Sequence, residues 1–204
     1  MQESGAHCVP TAPESSALVG VDTPAQTWVN PLLPLEIDVG CHRGAFIVEM
    51  AQRFADVRFL GIERQRHRVE RCRAKIDRLC LRNAQVMHGE GLGGFATSIE
   101  DRSAARIHVS FPDPWPKRRH NVRRMVNGEF LLHAYRLLIL GGELRLMTDD
   151  LPYFVAMEEA VVKTRDHWET IPWEDGREVA MTEFQRKFAA KGLVPFRLAL
   201  RAIG

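Results

Sequence analysis

The first 42 residues contain no lysine and no arginine. A signal peptide opens on a basic segment and a transit peptide is rich in arginine, so neither is expected. No apolar run approaches the roughly 20 residues that a membrane span needs, and no membrane partner is expected. The four cysteines, Cys8, Cys41, Cys72 and Cys80, form no CxxC pair. They read as reduced thiols of a cytoplasmic protein, neither a disulfide framework nor a zinc site. His42, His67, His88 and His108 lack metal-ligand spacing, so no metal is expected.

What is present is enough for one domain with a real core: 204 residues, 45% of them hydrophobic. The net charge of +2 hides a strong segregation. Eight Lys or Arg lie between Arg64 and Arg82, against only Glu70 and Asp77. Five more lie between Lys117 and Arg124, with no acid among them, and the balance turns acidic from Asp149 to Glu178. Such segregation suits a polyanionic partner on one face, although basic clusters also occur on ordinary solvated surfaces.

Residues 1–34 are rich in Pro, Ser, Thr and Ala. They are expected to be disordered, with local order around Trp28, ahead of a single domain over 35–204. From Leu35, strand and helix signals alternate. Strands are expected at Leu35–Val39, Arg58–Ile62, Ala84–His88, Arg106–Phe111 and Glu143–Met147, with weaker signals at Trp168–Trp173 and Phe196–Arg201. Helical patterns follow Gly44, run through Val69, Cys72 and Ile76, and span Asn127–Leu140, closed by Gly141-Gly142. Arg68, Arg71, Lys75 and Arg78 form a basic stripe beside the second helix's apolar positions. Part of that stripe can be snorkelling over the core edge.

Strand and helix alternating in this way build an α/β fold, a doubly wound and mostly parallel sheet. Its ligand belongs at the carboxyl ends of the strands. Acids follow the first five strands: Asp38, Glu63, Glu90, Asp113 and Asp149. Such a rim suits a cationic or polyhydroxyl ligand better than a phosphate.

Asp38-Val39-Gly40-Cys41-His42-Arg43-Gly44 reads as strand, glycine turn and helix start. Its middle glycine is replaced by His42, so it is a poor dinucleotide fingerprint and fits a plain βα turn almost as well. Glu63 stands where Rossmann-like folds place the acid that binds ribose hydroxyls. Gly91-Leu92-Gly93-Gly94 lacks the GK[ST] ending of a phosphate loop and reads as a flexible turn.

Phe111-Pro112-Asp113-Pro114-Trp115-Pro116-Lys117 is the most specific string. Proline at every second position excludes helix and ladder alike. The prolines freeze the backbone and lower the entropy cost of presenting one carboxylate and one flat ring. The cations that follow can hold phosphates.

These residues resemble the bacterial tRNA (guanine-N7-)-methyltransferase family. The likeness rests on Asp38 to Gly44, Gly61-Ile62-Glu63, Phe111 to Lys117, Arg119-His120-Asn121-Val122-Arg123-Arg124, Gly141-Gly142, Thr148-Asp149 and Thr182-Glu183-Phe184-Gln185. It implies a class I, Rossmann-like methyltransferase with a seven-stranded sheet, a C-terminal antiparallel strand, and S-adenosylmethionine as cofactor. It also implies a guanosine in the tRNA variable loop as substrate. By position, Asp38, Gly40, Gly44, Glu63 and Glu90 would line the cofactor pocket. Asp113 would lie between cofactor and guanine as the catalytic residue. Lys117, Arg119, His120, Arg123, Arg124, Asp149, Thr182 and Gln185 would contact the nucleotide or tRNA. Asp38, His42, Glu90 and Gln185 depart from the residues usual in that family. Two rivals stay open on those departures: a tRNA-binding relative without turnover, and a class I methyltransferase with another substrate. The oligomeric state is not legible.

Overall fold

The computed structural model describes residues 28–91, 99–174 and 180–204. Leu35–Val39 (β1) is buried at all five positions, as a strand covered on both faces must be. It lies between two parallel neighbours, Arg58–Glu63 (β2) and Ala104–Ser110 (β4). Ala84–His88 (β3) extends the sheet beyond β2, and Leu138–Thr148 (β5) extends it beyond β4. Trp168–Ile171 (β6) and Phe196–Ala202 (β7) complete the order β3-β2-β1-β4-β5-β7-β6. The last two run antiparallel to their neighbours.

Helices cover both faces. On one, Ile47 and Met50 of Ala45–Arg53 (α1) and Cys72 and Ile76 of Arg66–Arg78 (α2) pack on Phe59 and Val86. On the other, Phe130 and Leu131 of Gly128–Leu137 (α3) and Tyr153 and Met157 of Leu151–Lys163 (α4) pack on Ile37, Val39 and Ile107. Leu35, Ile37 and Val39 belong to this second layer. The two-residue period of a strand therefore turns Glu36 and Asp38 toward the α1 side. A short helix, Glu183–Ala189 (α5), precedes β7. The sheet grows outward in opposite directions from β1 and β4, so a crevice opens between their carboxyl ends.

One boundary differs from the sequence expectation. The helix expected over Asn127–Leu140 ends at Leu137, and β5 starts at Leu138. Leu138 already pairs with Ala104, and the ladder resumes at Glu143 opposite Arg106 after an irregularity. A Cβ on Gly142 would stand 2.9 Å from the Ile139 carbonyl and 3.1 Å from that of Ala105. Gly142 serves this close backbone approach within the sheet and Gly141 a left-handed turn at φ 80°; the pair does not stop the helix.

Residues 1–27 of the expected disordered segment lie outside the described residues, as does Cys8. Trp28 packs against the core with the Arg58 guanidinium 5.3 Å from its ring centre. Arg58 Nε also donates to the Leu33 carbonyl at 2.7 Å. Among the described residues, no helix is long and apolar enough to cross a membrane.

Candidate functional site

The turn from β1 to α1 needs left-handed backbone three times, at Gly40 (φ 82°), His42 (φ 53°) and Gly44 (φ 69°). Glycine adopts that region freely, whereas a side chain such as that of His42 does so at a cost. Two bonds pin the turn to β2, because the Gly40 and Cys41 N–H groups both donate to the Ile62 carbonyl, at 2.8 and 3.0 Å. The Glu63 carboxylate adds a third, accepting from His42 N–H at 3.0 Å and from Gln65 N–H at 2.9 Å. Gly44 plays a packing role: a Cβ there would lie 2.2 Å from Cys72 Sγ.

The strand ends enclose a cavity of about 520 Å³, within the range of small-molecule sites. Asp38, Gly40, Glu63, Glu90 and Asp113 all line it. Gly44 does not. Asp38 is buried beneath the turn, and its carboxyl is pushed up to about 7, first by burial and then by the neighbouring Glu63 carboxylate. Glu63 is itself only 3% exposed. Buried carboxylates of this kind favour a ligand that brings positive charge.

Arg64, the next residue after Glu63, also lines the cavity. Its guanidinium lies 3.5 Å from Glu90 and 3.3 Å from Asp113, so it ties the ends of three strands together. Its place next to Glu63 at the rim was the only sequence signal for that role.

The proline loop carries strain at two non-glycine residues, Phe111 (φ 53°) and Trp115 (φ 47°), as backbone held for function often does. Phe111 N–H donates to the Met147 carbonyl at 2.7 Å. The Phe111 ring packs on Phe184 and Phe188 of α5, with centres 4.9 and 5.9 Å apart. Trp115 lines the cavity, with the Arg123 guanidinium 5.1 Å from its ring centre. Lys117 and Arg119 are exposed, and His120 is half-buried beside them.

Arg124 departs from its expected RNA contact. It is buried, donating from Nε to the Pro114 carbonyl at 2.8 Å and from Nη1 to that of Pro152 at 3.2 Å. Its guanidinium also lies 4.8 Å from the Tyr153 ring centre. Arg124 is thus a clamp joining the proline loop to α4. Removing a buried donor leaves its acceptors unpaired, at about 1–3 kcal/mol. Arg124→Ala is expected to lower stability by about that much in thermal or denaturant unfolding.

A smaller cavity of about 240 Å³ adjoins the first and shares Phe46, Ser110 and Thr182 with it. Gln185 and Trp173 line it. Arg145 and Arg197 approach the Trp173 ring at 5.1 and 5.5 Å. Thr182 caps α5, its hydroxyl accepting from Gln185 N–H at 3.0 Å. A buried pair with no counterpart in the sequence reading lies here too: His108 Nε2 and Glu36 Oε2 are 2.9 Å apart. Asp149 is exposed at the end of β5 and lines neither cavity. Leu92, Gly93 and Gly94 of the expected flexible turn lie outside the described residues. Among the described residues, no group of three or more His, Cys, Asp or Glu could hold a metal ion.

The methyltransferase family Methyltransf_4 matches residues 33–198. A tRNA (guanine-N(7)-)-methyltransferase of Streptococcus pneumoniae is 30% identical over 169 residues, which span 81% of this chain and 80% of that protein. This chain belongs to the tRNA (guanine-N7-)-methyltransferase family. The family enzyme of Aquifex aeolicus is also 30% identical over 169 residues, covering 83% of this chain. The match spans only 57% of that longer protein. Among solved structures, an aminoglycoside-resistance methyltransferase superposes with a TM-score of 0.54 at 20% identity, over 83% of this chain and 87% of its own. A SAM-dependent methyltransferase from Aquifex aeolicus does so with a TM-score of 0.51 at 17% identity, over 83% and 81%. These likenesses show the class I methyltransferase fold of this family member.

The cavity's chemistry fits the donor used by such enzymes. S-adenosylmethionine carries a sulfonium, an ammonium and a ribose diol. The cavity offers a buried carboxyl already held back from ionising, at Asp38, and a second carboxylate, Glu63, at the end of β2.

Proposed function

We propose that this chain transfers the methyl group of S-adenosylmethionine to N7 of a guanosine in the tRNA variable loop. The observation that carries the reading is Asp113. It stands at the end of β4 on the wall of an acid-lined cavity, fixed by alternating prolines and by the Arg124 clamp.

The bound cofactor supplies an electrophilic methyl on a sulfonium. N7 of guanine has a free lone pair, so no residue is needed to remove a proton from it. The protein's task is alignment, a proximity effect. Asp38, Glu63 and Glu90 hold the cationic and ribose ends. Asp113 faces the purine as it acquires positive charge, which stabilises the transition state, and its carboxylate can accept a hydrogen bond from the guanine edge. The smaller cavity that adjoins the first, lined in part by Thr182 and Gln185, suits one purine ring. Lys117, Arg119, His120 and Arg123 lie exposed or half-buried past the proline loop, where phosphates of the same strand can reach them. Asp149 supports the reading least, being outside both cavities.

The test is direct. Labelled S-adenosylmethionine and unmodified tRNA are incubated with the protein, and the digested product is analysed for 7-methylguanosine. Label in that nucleoside at the variable loop is the expected result. Protein shown to be folded that binds tRNA but transfers no label would point to a binding-only relative. Label in another nucleoside would overturn the assignment of N7.

A further inference from the structure

The cations of α2 are not spread evenly around the helix. Val69, Cys72 and Ile76 form its buried seam. On one flank Arg66, Glu70, Arg73 and Asp77 follow at i, i+4, i+7 and i+11, so opposite charges alternate one turn apart and the flank carries no net charge. On the other flank Arg68, Arg71, Lys75 and Arg78 follow at i, i+3, i+7 and i+10, with no acid between them.

This second flank begins in the cavity wall. Arg68 lines the cavity, 3.7 Å from Glu63. The remaining three continue away from the strand ends, and ten helical residues carry the row about 15 Å. Arg71 and Arg78 are exposed and Lys75 is half-buried. Among the described residues, the side chains of these three make no ion pair. Snorkelling over the core edge accounts for Lys75 alone. Like charges one turn apart repel, by about 0.2–0.5 kcal/mol per pair. The helix dipole offsets that repulsion in part at Lys75 and Arg78, in the last turn, and a polyanion laid along the flank would relieve it over the whole row. The opposite wall of the cavity leads to Lys117, Arg119 and Arg123, so cations bracket its mouth on both sides.

We propose that the Arg68–Arg71–Lys75–Arg78 flank of α2 is a second phosphate track, gripping the tRNA backbone away from the target nucleotide. This rests on the tRNA reading above and adds a contact surface to it. The α2 track and the proline-loop cations would together hold the RNA across the cavity.

The test uses the full chain carrying Arg71→Gln, Lys75→Gln and Arg78→Gln together. Glutamine keeps helix propensity, and Arg68 is left in place because it lines the cavity. Unmodified tRNA binding is followed by fluorescence anisotropy between 50 and 200 mM salt. Each lost phosphate contact removes about 0.7–0.9 from the slope of log affinity against log salt. The triple variant is therefore expected to lose about 2 to 3 from that slope, with affinity weakened on the order of tenfold. kcat at saturating tRNA and the affinity for S-adenosylmethionine are expected to stay unchanged. Arg66→Gln with Arg73→Gln, on the self-neutralised flank, is expected to leave the slope unchanged.

A wild-type protein that binds and methylates tRNA, beside a triple variant with the same slope, would overturn the track alone. Equal losses in the triple and the double variant would overturn it too, by showing general charge instead of a directed surface. A wild-type protein with no salt-dependent tRNA binding would overturn both the track and the reading beneath it.

Discussion

Asp113→Asn is expected to lower kcat for tRNA methylation by a factor on the order of 10²–10³, with little change in the affinity for tRNA or for the methyl donor. The substitution keeps the side chain's size and removes its charge. That charge matters most as the purine becomes cationic, and the asparagine oxygen can still accept from the guanine edge, so losing the charge raises the barrier with little weakening of ground-state binding. Asp113 is 68% exposed, and its ion pair with Arg64 is long at 3.3 Å. An exposed pair of this kind contributes at most about 1 kcal/mol to stability, so the variant stays folded and the kinetic loss is interpretable. Steady-state kinetics with saturating tRNA, beside a melting curve, make the check. Near wild-type turnover in Asp113→Asn would remove Asp113 from the chemistry.

The second large effect concerns Asp38 and pH. Its carboxyl is raised to about 7 in the folded protein from an ordinary value of 3.8. Between those limits the folded state binds more protons than the unfolded state, so stability falls as pH rises from about 4 through about 7. A cationic ligand reverses the preference, because it favours ionised Asp38. Affinity for S-adenosylmethionine is therefore expected to rise with pH between about 5.5 and 7.5, below the range where an α-amino group titrates. Binding should release up to one proton at the acid end of that window. Calorimetry in two buffers of different ionisation heat measures the release. In Asp38→Asn the proton release and the pH dependence should both vanish. The affinity should drop at least about tenfold, for one lost charge-assisted contact. The same variant should melt higher than wild type at pH 8, since it no longer buries a carboxylate beside Glu63. A flat affinity profile in the wild-type protein would show that Asp38 is not coupled to the ligand's charge.

What could be seen in advance divides along physical lines. The strands Leu35–Val39 and Ala84–His88 were legible because short apolar runs between turn residues admit few other structures. Asp38, Glu63, Glu90 and Asp113 were legible as cavity residues because topology alone brings strand ends to one rim. The end of α3 was not: besides the nearby Ile139 carbonyl, those of Ala104 and Ala105 crowd Gly142, across a strand pairing that local pattern cannot contain. Arg124 sits inside a basic run and looked like its neighbours. Only the fold reveals Pro152, 28 residues away, as its acceptor. Glu36 and His108 were hidden for a related reason, since two polar residues in separate strands become a pair only when β1 and β4 lie side by side.

Two thiols in the first core layer occupy space that glycines leave open. A Cβ on Gly44 would fall 2.2 Å from Cys72 Sγ, and one on Gly61 would fall 2.6 Å from Cys41 Sγ. Each cysteine therefore constrains the history of its glycine. A lineage can gain a side chain at position 44 only after position 72 has shrunk, and it then still carries the cost of left-handed backbone. At position 61 room must open at both Cys41 and Ile47, whose Cδ1 would lie 2.9 Å away. In both places the larger residue must shrink first, and the reverse order is closed.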